Sequence, residues 1–181
     1  GKQQYEAHTG SITVQGGEVQ QAAYRLNHYV TVRGSILDGR NEGVAAATVK
    51  FDNLKTIVNK KVISGTGGDF VAELLVREVG REAGEITWVG KHGTYTKRFW
   101  IDLPLQPASF FLPEEKTRLP VNFVSLEVKS VATTGVPGAT VKFTHRENGQ
   151  VIEARDLDNG NYEGEELPDG TYDIAITKER Y

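Results

Sequence analysis

Apolar and polar residues alternate along most of this chain. Ala47, Val49 and Phe51 share one face of a short segment, and Thr48 and Lys50 share the other. The same pattern recurs in Ala139, Val141 and Phe143, in Phe70, Ala72, Leu74 and Val76, and in Tyr172, Ile174 and Ile176. A period of two marks a half-buried β-strand. Val30 with Val32, and Leu126 with Val128, open two further strands of this kind. Turn signals separate the runs: Asp38-Gly39, Asn148-Gly149, Asn159-Gly160 and Pro168-Asp169-Gly170. Asn-Gly suits tight hairpins because both central residues adopt positive φ. Short strands with turns at this spacing predict a sandwich or barrel. Helical periodicity is weak and is confined to Glu18–Leu26 and Leu75–Glu82.

The pattern is duplicated. Gly43-Val44-Ala45-Ala46-Ala47-Thr48-Val49-Lys50-Phe51 matches Gly135-Val136-Pro137-Gly138-Ala139-Thr140-Val141-Lys142-Phe143 at an offset of 92 residues. Gly68-Asp69-Phe70 and Gly160-Asn161-Tyr162 keep the same offset. Two matches in one register predict two copies of one domain. The expected organisation is an N-terminal arm (1–27), a first β-sandwich (28–104), a connector (105–120) and a second β-sandwich (121–181). Pro107, Pro113 and Pro120 stiffen the connector, and Phe110, Phe111 and Leu112 would pack at the joint.

In the second repeat, Gly135-Val136-Pro137-Gly138-Ala139-Thr140-Val141, Asp158-Asn159-Gly160-Asn161-Tyr162 and Leu167-Pro168-Asp169-Gly170-Thr171-Tyr172 resemble a carboxypeptidase regulatory-like domain, a relative of prealbumin. The first repeat shows a worn version of this pattern. The resemblance implies an all-β chain of two tandem Ig-like, prealbumin-like (transthyretin-like) sandwiches with an extended N-terminal arm. It also implies a non-catalytic module, since such domains serve in secreted enzymes, adhesins and surface fibres. Hydroxyisourate hydrolases share the general fold and end in Tyr-Arg-Gly-Ser. Arg33-Gly34-Ser35 lies in the first strand instead, and reads as coincidence.

The repeats differ in their later parts. Gly84-Glu85-Ile86-Thr87-Trp88-Val89 aligns with Gly170-Thr171-Tyr172-Asp173-Ile174-Ala175, after which the first repeat runs one more strand, Tyr95 to Leu103. The second repeat has no counterpart to it. A rival alignment pairs Gly93-Thr94-Tyr95 with Gly170-Thr171-Tyr172, which removes the gap but needs a longer insertion. Under the first alignment the second sandwich lacks a strand. Its acceptor groove would be lined by Val141, Phe143, Tyr172, Ile174 and Ile176. The arm offers a donor strand, Ser11-Ile12-Thr13-Val14-Gln15, flanked by Gly10 and Gly16-Gly17. Donation of that strand to a neighbouring chain would build a head-to-tail homopolymer. The competing expectation is an accessory or carbohydrate-binding module cut from a larger secreted protein, with 1–27 as a linker.

Composition narrows the classes. The net charge of -3 is too small to suggest nucleic acid or an anionic membrane. Residues 28–104 carry 11 basic and 9 acidic side chains, whereas 121–181 carry 6 and 11, so the two ends differ in sign. The chain holds no cysteine, which excludes disulfides and zinc–thiolate sites. It also holds no methionine, as a processed or cut chain would. No apolar run approaches the ~20 residues of a membrane helix. The expected location is extracellular or at a cell surface.

No catalytic constellation stands out, and no cofactor is expected. His8, His28, His92 and His145 lack metal-ligand spacing. Ser64-Gly65-Thr66-Gly67-Gly68 is glycine-rich, but it aligns with a hairpin turn. Asp156 to Asn161 clusters oxygen ligands of the kind calcium uses, yet Leu167 stands where an EF-hand loop needs an acid. Turn chemistry is the plainer reading. Trp88, Tyr95 and Trp100 are candidates for stacking on a glycan, though aromatics in small sandwiches more often fill the core. Lys50 and Lys142 face away from their apolar neighbours, as solvent-exposed lysines do.

Overall fold

The computed structural model describes residues 5–7, 9–11, 26–58, 61–132 and 134–179. These residues are nearly all β, with fourteen strands and one four-residue helix. Alternation sets the facing of each strand. In β1 (His28–Ser35) Val30 and Val32 are buried and Arg33 is exposed. In β2 (Thr48–Phe51) Val49 and Phe51 point inward and Lys50 outward. The side chains gather into two apolar cores, one per repeat.

Two four-stranded sheets feed the first core. One has the order β3 (Thr56–Val58), β5 (Asp69–Val76), β1, β8 (Ala108–Phe111). The other runs β4 (Val62–Ile63), β2, β6 (Gly80–Gly90), β7 (Gly93–Leu103). Two three-stranded sheets feed the second core. Their orders are β12 (Arg155–Asp156), β13 (Asn161–Leu167), β9 (Asn122–Glu127), and β11 (Val151–Glu153), β10 (Thr140–His145), β14 (Tyr172–Thr177). All pairings are antiparallel except β1 with β8.

The 92-residue offset recurs in the hydrogen bonds. Ile36 N–H donates to Gly68 O at 2.9 Å, and Val128 N–H to Gly160 O at 2.7 Å. Val44 N–H then donates to Ile36 O, and Val136 N–H to Val128 O. Gly68 and Gly160 sit at φ +80° and +82°, pressed against the backbone of these same segments. A side chain at either position meets both strain and a backbone oxygen, so glycine is required.

One polar task is solved differently in each repeat. The Ser64 hydroxyl accepts from Ala47 N–H at 2.9 Å and donates to Val44 O at 2.7 Å. In the second repeat the Tyr162 hydroxyl does the same for Ala139 and Val136, both at 2.7 Å. Tyr162 corresponds to Phe70, and Ser64 to Asp156. Each repeat therefore satisfies the same buried backbone pair with one hydroxyl, from Ser64 just after β4 in the first and from Tyr162 on β13 in the second.

Three expectations need correction. Leu75–Glu82 is not helical, since Leu75 and Val76 end β5 and Gly80 begins β6. Its helical spacing coincides with a hairpin turn in which Gly80 takes φ +131°. The stretch 105–120 is more than a connector. It supplies β8 and α1 (Glu114–Thr117), and Leu112 and Leu119 belong to the first core. Of the apolar cluster there, Leu112 is buried, Phe110 packs partly on the first core and Phe111 is 61% exposed. Finally, β6 and β14 do correspond, but in a different register from the sequence alignment. Ile86 pairs with Val49 as Ile176 pairs with Val141, so Ile86 matches Ile176 rather than Tyr172.

Candidate functional site: an uncovered edge on the second repeat

The sheet orders place β14 where β6 lies, and β9 where β1 lies. In the first repeat both of these strands are covered. β6 pairs with β7 over eleven residues, and β1 pairs with β8 over four. Among the described residues of the second repeat, neither β14 nor β9 has a partner on its outer side. The sequence led to the expectation of one absent strand; among the described residues two equivalents are absent, those of β7 and β8.

Burial records the consequence at equivalent positions. Ile86 is fully buried, whereas Ile176 is 46% exposed. Val32 is fully buried, whereas Val124, its counterpart in the ladder, is 38% exposed. The groove residues divide accordingly. Val141 and Phe143 are buried in the floor, Tyr172 is half-buried with its ring edge-on to Phe143, and Ile174 and Ile176 lie exposed. All five face one way, because Ile174 pairs with Phe143 and Ile176 with Val141. Of the donor segment, Ser11 is exposed, and Ile12, Thr13, Val14 and Gln15 lie outside the described residues. The arm's Tyr5 bridges to His28 at the start of β1.

The chemistry of the edges separates β14 and β9 (Asn122 to Leu126 bears neither a charge nor a proline) from the rest. Proteins blunt free edges by shortening them or by placing charges on them. The edge strands β3, β4, β11 and β12 have two or three residues each. β8 has four and lies between Pro107 and Pro113. β7 is long but carries Lys97, Arg98 and Asp102. β14 is six residues long, and from Ile174 to Thr177 it bears neither a charge nor a proline. Such an edge is a template for another strand.

Aromatic side chains behave differently from a glycan platform. The Trp88 and Tyr95 rings stack at 5.5 Å, and Tyr95 is buried. Its hydroxyl donates to the Glu166 carbonyl of the second repeat. Burial, and then the nearby Glu166, push the Tyr95 hydroxyl up to about 12, which keeps it a neutral donor. Trp100 is half-exposed on the opposite face of β7. The three aromatics are therefore not assembled into one surface. Trp88 and Tyr95 belong instead to a joint between the repeats. There Glu166 also accepts from Lys91 N–H at 2.7 Å, and Gln150 donates to His92 O at 2.8 Å.

A second joint is ionic. Glu163, almost wholly buried on β13, is paired with Arg40 of the first repeat and with Arg155 at 3.0 Å. Arg40 also lies 3.9 Å over the Phe123 ring. The hydrogen bond from Arg40, and then that from Arg155, hold the Glu163 carboxyl below its usual value against the opposing cost of burial. A depressed folded-state value means stability that is present above the unfolded carboxylate range and lost as pH falls through the folded value. Glu163→Gln is therefore expected to weaken the acid limb of a stability–pH profile while changing its slope little near neutrality. Urea midpoints between pH 3 and 7 would check this, and an unchanged acid limb would refute it.

The Asp156 carboxylate accepts from Asp158 N–H at 2.8 Å and Gly138 N–H at 2.7 Å, which is turn chemistry. Asp158, Asn159 and Gly160 all take positive φ in that turn. Lys50 and Lys142 are both exposed. No group of three or more His, Cys, Asp or Glu side chains fit for a metal occurs among the described residues. No helix among them is long and apolar enough to cross a membrane. No family model matches the chain, and no curated protein matches it.

Proposed function

We propose that this chain is a non-catalytic structural subunit, built of two tandem Ig-like, prealbumin-like sandwiches, that joins head to tail into an extracellular or cell-surface filament. In this reading a neighbouring chain lays its Ser11–Gln15 segment along β14 and completes the second sandwich. One observation carries it: Ile176 is 46% exposed at a ladder position where Ile86 is fully buried. Fully burying an exposed isoleucine is worth about 1.5–3 kcal/mol, so covering the half-exposed Ile174 and Ile176 contributes roughly half of that for each, beyond the backbone bonds of the added strand. The donor segment and the acceptor edge lie on different parts of the chain. Such a contact is heterologous, and it propagates into a filament where its rotation does not close a ring.

The purified chain is expected to form filaments, and a chain lacking residues 1–17 is expected to stay monomeric. Negative-stain electron microscopy of the two would check this. Monomers in both cases would remove the reading and leave an accessory module of a larger secreted protein.

A further inference from the structure

We propose that the donated strand binds β14 in one register only: antiparallel, with Ile12 across from Ile176, Val14 across from Ile174 and Gly16 across from Tyr172. This rests on the strand-donation reading and adds the rule that selects the partner. The first repeat shows what an occupied edge looks like. There β7 lies antiparallel on β6, with Lys97 opposite Ile86, Phe99 opposite Gly84 and Ile101 opposite Glu82. The pairing of β14 with β10 makes Ile176, Ile174 and Tyr172 the equivalents of Ile86, Gly84 and Glu82.

Gly84 has a steric reason. A Cβ there would run into the Phe99 ring, which lies over the glycine. In the second repeat Ile174 stands at this position and occupies the space the ring would need. The strand opposite must then carry a residue smaller than phenylalanine, and Val14 meets that condition. One step along, the Tyr172 ring is already seated edge-on against Phe143 and His145, with its hydroxyl donating to Pro168 O at 2.8 Å, and Gly16 opposite adds no side chain to that space. In the first repeat the glycine is on the acceptor strand and the aromatic on its partner. In the second repeat the roles are exchanged, so the combined side-chain volume of the two layers stays close to the same. An aromatic opposite a strand glycine is also a recognised means of shielding it.

Shifts by two residues fail on both sides. One direction puts Gly10 opposite Ile176 and leaves that side chain uncovered. The other puts Gly16 opposite Ile174 and leaves that side chain uncovered. Only the proposed register gives both isoleucines an apolar partner. It also sets Gly10 opposite Lys178, whose ammonium is tied down to Pro137 O and Gly138 O at 2.9 and 3.1 Å.

The absence of cysteine makes the test clean. Single variants Ile12→Cys, Val14→Cys, Ile174→Cys and Ile176→Cys would be purified, mixed in pairs and oxidised mildly. Because each chain carries one thiol, a mixed disulfide forms only between chains. Directly opposed residues have Cα atoms about 4.5–5.5 Å apart, within disulfide reach, and a two-residue shift carries them beyond the limit of about 7 Å. Val14→Cys with Ile174→Cys, and Ile12→Cys with Ile176→Cys, should crosslink at least roughly tenfold faster than the crossed pairs. Faster crosslinking of a crossed pair would overturn the register and leave strand donation standing. Crosslinks only between two β14 cysteines, or none with the arm, would overturn both.

Discussion

A chain carrying Ile174→Asp and Ile176→Asp is expected to fold like the unaltered protein and to remain monomeric under conditions where the proposed strand donation would assemble the unaltered protein. In the free chain these side chains are already 49% and 46% exposed, so the substitutions cost the isolated fold little. In the complex they would sit beneath a covering strand with no cation opposite. Burying an unpaired carboxylate costs several kcal/mol unless it takes up a proton. Each 1.4 kcal/mol is tenfold in affinity, so association should weaken by more than about a hundredfold. Sedimentation velocity would measure the assembly, and far-UV circular dichroism would confirm the fold. Assembly at wild-type concentration would show that β14 is not the contact.

The second large effect concerns stability. Glu82→Ala is expected to destabilise the chain by about 2–4 kcal/mol. Glu82 is fully buried on the inward face of β6. Its carboxylate accepts from Leu54 N–H at 3.2 Å, Lys55 N–H at 2.8 Å and the Thr56 hydroxyl at 3.2 Å. Alanine removes the acceptor from three donors, of which the Thr56 hydroxyl is buried and the Leu54 and Lys55 N–H groups part-buried. Glu82→Gln keeps the shape and one acceptor oxygen, so its loss should be smaller, about 1–2 kcal/mol. Folded domains hold only about 5–15 kcal/mol in total, so the alanine variant should be visibly unstable in urea titration. A midpoint for Glu82→Ala close to that of the unaltered chain would contradict this role.

Much of the architecture is legible in the sequence, because strand alternation and the 92-residue offset are strong local signals. They locate β1, β2, β5, β10 and β14 and lead to the extra strand of the first repeat. The register error has a physical source. Gly84 and Gly170 look equivalent, yet one is a core glycine under Phe99 and the other sits at φ +155° in a turn against His145. Two different steric demands had selected the same residue. β8 was hidden because two prolines bracket it, a placement that an edge strand tolerates at its ends. α1 follows Pro113 with Glu114 and Glu115 in its first turn, a start signal that the connector reading absorbed. The two bare edges were half legible: the alignment drew attention to the outer side of β14, which has no partner among the described residues, whereas the bare flank of β9 depends on β8, which the connector reading hid.

The parallel pairing of β1 and β8 also bears on how the molecule carries load. The arm enters at the head of β1, and the chain leaves for the second repeat from the tail of β8. Tension between neighbours would thus pull these two strands in opposite senses along their length. Val30 to Arg33 and Ala108 to Phe111 would be strained together in shear, with no end from which to unzip. The bonds from Leu112 N–H to Arg33 O and from the Thr117 hydroxyl to Ser35 O would share the strain. In the proposed filament, the placement of the strands that gives the first repeat its fourth rung would therefore also make it a mechanical clamp between the two ends of the chain.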